Sequence, residues 1–357
     1  MLGASATALG MVSGIGELIG YGLRLAAGCL VDRTGKYWFF TFLGYAVNLL
    51  AVPALALAGR WEWAAALMIL ERLGKAIRTP ARDTMLSYAT SSVGRGWGFA
   101  LHEAMDQLGA VSGPLIIAAV FYFQGTYQAG FGILALPAVL ALLTLAVAKM
   151  NFPAPRELES KSKKEGAALG EKGNLPAAFW WYTVFTALTV AGYAHFQLMA
   201  YHWKMQEIIL DVQIPVFFAV AMGVDALAAL AAGKMYDRTG LSLLAGVPLL
   251  SLLLPFLAFS GGAAAALAGT ILWGAVMGIQ ETVMRAAVAD MIPAAKRGFA
   301  YGVFNTAYGL AWFAGSALLG FLYDLSLTWV IVFAAGAQLT AIPFLLIAIR
   351  RQAPRKA

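Results

Sequence analysis

Gly28-Cys-Leu-Val-Asp32-Arg33-Thr-Gly35-Lys36 recurs further along the chain as Gly233-Lys-Met-Tyr-Asp237-Arg238-Thr-Gly240. Each copy follows one long apolar run and precedes another. The turn must be sharp at Gly35 and Gly240, where glycine supplies backbone freedom. Downstream, Arg95-Gly96 and Arg297-Gly298 stand in matching positions before the next apolar runs. A unit written twice in the same direction makes a parallel repeat, an arrangement suited to two helical bundles moving against each other.

Composition says where such bundles sit. Hydrophobic residues make up 61% of the 357 residues and charged ones 12%, against roughly 45–50% and 25% in a soluble domain. A soluble chain this apolar would expose large aggregating patches, so the chain reads as an all-α integral membrane protein. A soluble enzyme and a nucleic-acid binder are both poor readings. The single cysteine, Cys29, excludes an intramolecular disulfide framework and a cysteine-built metal site. The first cation is Arg24, after more than twenty mostly apolar residues, which argues against a cleaved signal peptide.

Runs of about 20 apolar residues mark eleven spans: 4–31, 37–58, 63–90, 96–123, 127–150, 177–203, 212–236, 241–260, 263–291, 297–322 and 327–350. Between the fifth and sixth lies the one long connection, 151–176, rich in mixed charge and carrying Pro153 and Pro155. It reads as a linker separating a five-helix bundle, 1–150, from a six-helix bundle with a short basic tail, 177–357. Of the 25 lysines and arginines, 17 fall on the linker's side of the membrane, six lie inside helices, and only Arg60 and Lys204 face the other way. That bias places the linker and the C-terminus in the cytoplasm and the chain's N-terminus outside.

The repeated stretch, G-x-L-x-D-R-x-G-[RK] in its first copy, resembles motif A of the major facilitator superfamily. Residues 71–83 resemble the fourth helix of a poorly characterised prokaryotic branch of it. The resemblance covers essentially the whole chain and implies two six-helix bundles around a central cavity. This chain then supplies helices two to twelve, the shortfall being about 30 residues, one helix with its loop. Either an upstream start or a genuine loss of a helix accounts for that. Motif A implies gating roles for Gly28, Asp32, Arg33, Gly35 and Lys36, and for Gly233, Asp237, Arg238 and Gly240 in the weaker second copy. In the family Asp32 stabilises the outward-facing state. A carboxylate at a cytoplasmic helix end can engage an arginine or a neighbouring helix N-terminus. Arg82 and Asp83, close to motif A along the third helix here, join the gate.

Ionisable residues inside spans cost about 2.5–3.5 kcal/mol each on insertion scales, so they are candidates for the substrate or proton pathway. A helix-locking ion pair is the bland alternative for any one of them. Glu71, Lys75, Arg78 and Arg82 line one face, with Glu71 and Lys75 able to pair at i, i+4. Arg72 lies beside them, and Arg78 needs an acid on another helix or an anionic solute. Glu103 and Asp106, one turn apart, are expected to hold a proton between them. Glu17 and Arg24 share a face of the first helix, and Glu281 and Arg285 form an expected intrahelical pair. Asp225 and His195 are lesser candidates, the histidine reading best as a packing residue. Gly109, Gly113 and Pro114 resemble the antiporter motif C and otherwise read as close helix packing.

No Walker-type loop or zinc-protease helix occurs. No cofactor and no metal is expected. The reading is a secondary transporter in the inner or plasma membrane, monomeric, exchanging protons for a polar or charged small solute. An uptake symporter or facilitator of the same fold, and a truncated non-transporting membrane protein, stand as alternatives.

Overall fold

In the computed structural model the described residues are 6–124, 126–158, 175–210 and 213–352; the side chains of 6–19, 114, 118, 121, 122, 124 and 127 are outside that description. Every regular element among them is helical. The helices are α1 (Ala6–Thr34), α2 (Tyr37–Ala54), α3 (Trp61–Ala89), α4 (Arg95–Gln124), α5 (Tyr127–Ile133), α6 (Ala135–Asn151), α7 (Ala177–Ala191) and α8 (Phe196–Met205). They continue as α9 (Ile214–Thr239), α10 (Gly246–Ala258), α11 (Ala263–Met291), α12 (Arg297–Leu325) and α13 (Leu327–Arg351). Among the described residues six stretches are long and apolar enough to cross a membrane by length and composition. Helix α3, not one of them, carries Glu71, Arg72, Lys75, Arg78, Arg82 and Asp83.

One expected single span is broken. The run 127–150 holds together as one apolar stretch, Gln128–Asn151, with a turn at Leu134 between α5 and α6. The run 177–203 divides at Gly192–His195, where α7 ends and α8 begins from an extended His195. A break in a spanning segment strands carbonyl groups that water cannot reach. Here side chains satisfy them: Gln338 Nε2 donates to the Thr189 carbonyl at 2.8 Å and Trp273 Nε1 to that of Ala194 at 2.9 Å. Gly35 and Gly240 carry φ of +65° and +67°, the left-handed turn expected of both repeat copies.

The residues gather into two compact units. One draws on Met1–Ser91, Ala110–Glu171 and Pro293–Gly309; the other on Ser92–Gly109, Lys172–Ile292 and Leu310–Ala357. Helices α4 and α12 are therefore each divided between units. In the first unit α3 packs against α1 and α2, and α2 against α6. In the second, α9 packs on α11, α7 on α13, and α10 on both α11 and α13. Outward faces are apolar: on α6 Leu136, Leu140, Leu143 and Val147 are exposed and only Ala138 is buried, as a lipid-facing helix requires. Most of the linker, 159–174, lies outside the described residues. Its start is docked: Arg156 Nε donates to Tyr37 Oη at 2.9 Å, and Ser91 Oγ to the Leu158 carbonyl at 3.2 Å.

Helices α2 and α3 cross through two glycines. A methyl group on Gly44 would stand 2.6 Å from the Arg78 backbone nitrogen, and one on Gly74 2.5 Å from that of Asn48. Gly22, on α1, has nothing within 4 Å. Gly44→Val is expected to destabilise the first unit by about 1–3 kcal/mol through overpacking, whereas Gly22→Ala is neutral or slightly stabilising. Thermal unfolding midpoints of the two purified variants in detergent check both signs.

Candidate functional site

The two repeat copies build the same contact in separate units. In the first unit, Asp32 at the end of α1 accepts from the backbone N–H groups of Gly298 (3.0 Å) and Phe299 (2.6 Å), the second and third residues of α12. In the second unit, Asp237 at the end of α9 accepts from Gly96 (2.8 Å) and Trp97 (2.9 Å), the second and third residues of α4. The first N–H groups of any helix lack intrahelical partners, and a carboxylate there is doubly favoured by hydrogen bonding and by the helix dipole. Each aspartate thus caps a helix far away in sequence. The helix N-terminus expected as a partner of motif A is engaged in both copies.

Glycine makes the approach possible. A Cβ on Gly28, one turn before Asp32, would overlap the Gly298 carbonyl oxygen, and one on Gly233, one turn before Asp237, that of Gly96. The G-x-x-x-D spacing therefore places a gap and a cap on one helix face. By contrast Gly109 and Gly113 have no atom within 4 Å of where a Cβ would stand. The tight packing expected of the motif C-like glycines is not found among the described residues, and Pro114 lies outside the described side chains. Arg33, Lys36 and Arg238 are exposed at the helix ends, away from the caps. Arg82 pairs with fully buried Asp83 at 2.8 Å.

Buried arginines brace both caps. Arg95, 4% exposed, donates to Asp290 Oδ1 and to the Ala289 carbonyl, each at 2.8 Å, and Tyr236 Oη donates to Asp290 Oδ2 at 3.0 Å. Arg297, 3% exposed, lies over the Tyr88 ring and reaches Ser87 Oγ at 3.4 Å, while Tyr88 Oη donates to the Ala294 carbonyl. Neither arginine nor Asp290 was among the expected site residues. The Arg-Gly pair preceding both helices was the available signal.

The intramembrane charges divide by sign. In the first unit Arg24 lies 4.2 Å over the Tyr21 ring and within 3.5 Å of Asn305 Oδ1, and Arg78 lies 4.2 Å over Tyr45. Glu71 does not pair with Lys75: its carboxylate takes a 2.7 Å bond from Asn48 and a 3.4 Å contact from Arg72, because both are nearer. Glu17 has a side chain outside the described residues.

In the second unit Glu103, buried at 1% exposure, pairs with Arg285 and accepts from Gln107 Nε2 at 2.7 Å. The same amide nitrogen contacts Asp225 Oδ2 at 3.3 Å. Arg285 also donates to the Glu281 carbonyl, and its expected pairing with the Glu281 carboxylate is stretched to 4.0 Å by the pull toward Glu103. Asp106 lies within electrostatic reach of Glu103; its side chain is 55% exposed and 3.6 Å from His102. His195 bonds Ser316 at 2.7 Å with its ring edge-on to Trp312, a packing histidine as read. Among the described residues no group of three or more metal-ligating side chains is gathered.

The sequence profile of the Major Facilitator Superfamily matches residues 1–316. A protein of Mycobacterium tuberculosis, itself described as uncharacterised, is 42% identical over 343 residues, covering 96% of this chain and 84% of its own length. A protein of Methanocaldococcus jannaschii described as an uncharacterised MFS-type transporter is 26% identical over 335 residues, covering 91% and 82%. Among solved structures, the human organic anion transporter MFSD10 superposes with a TM-score of 0.71 at 13% identity, covering 96% of this chain and 83% of that one. Repeat, helices and comparisons converge: the chain belongs to the major facilitator superfamily, a family of multi-pass membrane transporters.

Proposed function

We propose that this protein is a secondary transporter working by alternating access, exchanging protons for a polar or charged small solute across the inner or plasma membrane. The observation that carries the reading is the pair of trans-capped helix N-termini, Asp32 on α12 and Asp237 on α4. Each cap ties one sequence repeat to the other at the face that the lysine and arginine bias makes cytoplasmic. A gate needs contacts that form and break without leaving buried charge stranded. A carboxylate on backbone N–H groups meets that need, since both partners regain water when they part. The protein acts as a monomer, with its C-terminus in the cytoplasm and the N-terminus of this chain outside.

Proton coupling is supported by the second unit's cluster. Glu103 and Glu281 share one guanidinium, Arg285, and a third carboxylate, Asp225, contacts the Gln107 amide that also serves Glu103. Uncompensated negative charge in a bilayer is costly, and taking up a proton is the ordinary relief. Glu103 is the carboxylate that Arg285 holds. Asp106, exposed beside His102, is the second member of the proposed relay. Uptake by symport uses the same parts, and the direction of solute flux under an imposed pH gradient separates it from exchange.

Charge-assisted hydrogen bonds contribute about 1.5–3 kcal/mol. Asp32→Asn is therefore expected to shift the conformational equilibrium inward by roughly ten- to a hundredfold. Cysteine labelling from the two sides of the membrane, in a Cys29→Ala background, reads this as greater cytoplasmic accessibility; unchanged labelling refutes the gate. Gly28→Val is expected to reproduce the shift, because it pushes α12 away from Asp32 without touching the carboxylate. In proteoliposomes, Glu103→Gln should abolish transport driven by a pH gradient while sparing solute counterflow. Transport indifferent to the gradient in the unaltered protein, and surviving neutralisation of both Glu103 and Asp106, would falsify proton coupling.

A further inference from the structure

Within the second unit the ends of three helices and the start of a fourth enclose a cavity of about 650 Å³. Its walls include His202 near the end of α8, Gln206 and Glu207 just beyond it, Phe259 after α10, Tyr323 in the last turn of α12 and Leu327 opening α13. That volume is within the range that takes a small organic molecule. None of the cluster around Arg285 lines it.

The lining is one-sided in charge. It holds one carboxylate, Glu207, and no lysine or arginine; Lys204, exposed on the last turn of α8, is outside it. Among the described residues the Glu207 carboxylate enters no ion pair. Its backbone closes α8 in a Schellman turn, with the Glu207 N–H donating to the Lys204 carbonyl at 3.2 Å and the Ile208 N–H to that of Trp203 at 2.9 Å. The turn holds Glu207 at φ +52°, the one non-glycine residue at positive φ among the described residues. Glycine is the usual occupant of that position. The fold therefore carries an acid into the cavity at a point where the backbone favours no side chain at all.

The aromatic walls are fixed in advance. Tyr323 Oη and His202 Nδ1 share a 2.8 Å hydrogen bond, and Tyr201 meets the Tyr323 ring edge-on at 5.8 Å. His202 packs edge-on against Phe259 at 5.2 Å and Tyr323 at 5.7 Å. Trp203 Nε1 pins the end of α10 by donating to the Ala258 carbonyl at 2.7 Å. Rings already in place cost an arriving ligand little ordering. Aromatic faces beside an acid, with no base among them, attract a cation. A bare divalent metal needs six or more oxygen ligands or a cluster of imidazoles and acids, and among the described residues no such group gathers.

We infer that this cavity is a binding site for a small organic ammonium, with its charge on Glu207 and its apolar body against Phe259, Tyr323 and Leu327. Gln206 and Tyr323 offer oxygens to its N–H groups. The site shares no residue with the proton cluster, so it stands whether or not transport is proton-coupled. Free amines and the headgroup of phosphatidylethanolamine both carry this chemistry.

The test is binding, measured apart from transport. Purified protein in an uncharged detergent is heated with increasing choline, benzylammonium or benzyltrimethylammonium chloride, ionic strength being held constant with sodium chloride. The expected result is a saturable rise in the unfolding midpoint with at least one of the three, and none with benzyl alcohol, the uncharged counterpart of benzylammonium. Glu207→Gln should raise the concentration for half the effect about tenfold, the order expected for one lost charge-assisted contact. Glu207→Gly should do the same while raising the midpoint without ligand, because glycine relieves the positive φ. Binding lost from a more stable protein is not misfolding. Tyr323→Leu should weaken binding by roughly two- to fivefold through the missing ring. Glu62→Gln, exposed in the first turn of α3 in the other unit, should match the unaltered protein.

A response to a soluble ammonium that weakens in the Glu207 variants assigns the site to a free amine. One confined to mixed micelles containing phosphatidylethanolamine, and weakened by the same variants, assigns it to a lipid headgroup. No saturable response to any of these cations overturns the site. So does a response that survives intact in Glu207→Gln and Glu207→Gly, or an equal response to benzyl alcohol.

Discussion

A carboxylate from one helix completing the N-terminus of another is the contact on which the rest of this arrangement depends. Helices α4 and α12 begin without a side-chain cap of their own, preceded by Gly94 and Lys296. Their second and third N–H groups are met by Asp237 and Asp32 instead. For the carboxylate to reach those groups the two backbones must nearly touch one turn away, which is why Gly28 and Gly233 admit no side chain. The caps then fix where Arg95 and Arg297, the first residues of α4 and α12, enter the protein. A contact of about 1.5–3 kcal/mol is comparable with the few kcal/mol that separate alternative conformations of one protein. It is strong enough to bias a gate and weak enough to open.

The two copies differ in what stands behind them. Asp237's partner helix is pinned by a charged network, Arg95 to Asp290 and Asp290 to Tyr236. Beside Asp32's partner helix, Arg297 lies against Ser87 and the Tyr88 ring, Tyr88 against Tyr37, and Arg156 donates to Tyr37. On sequence the first copy looks the stronger, because it alone retains the cation after the final glycine. Structurally that cation, Lys36, is exposed and the bracing lies elsewhere.

Hydropathy and repetition made most of the fold legible, because a spanning helix must be apolar over its whole length and a repeat must preserve its turns. The break between α7 and α8 was not legible. Gly192 to His195 interrupts an apolar run without changing its hydropathy, and its repair depends on Gln338 and Trp273, both more than seventy residues away. The same limit applies to charge. The face shared by Glu71 and Lys75 was readable from spacing, yet Glu71 turns to Asn48, 23 residues earlier. Glu103 was read beside Asp106 by adjacency, whereas its counter-ion, Arg285, lies 182 residues away on α11. Local periodicity determines which side chains share a face; it carries no information about what packs against that face.

The distribution of sign gives the last step. Arg285 is the one described cation paired with Glu103. Asp225 and Glu281 add acid that no second described cation in their cluster matches. Fixed counter-ions would have served stability better, since uncompensated charge in a membrane interior is among the costliest features a helix can carry. Surplus of one sign has a use only where the neutralising partner comes and goes. On the proposed reading the acidic surplus answers to a proton.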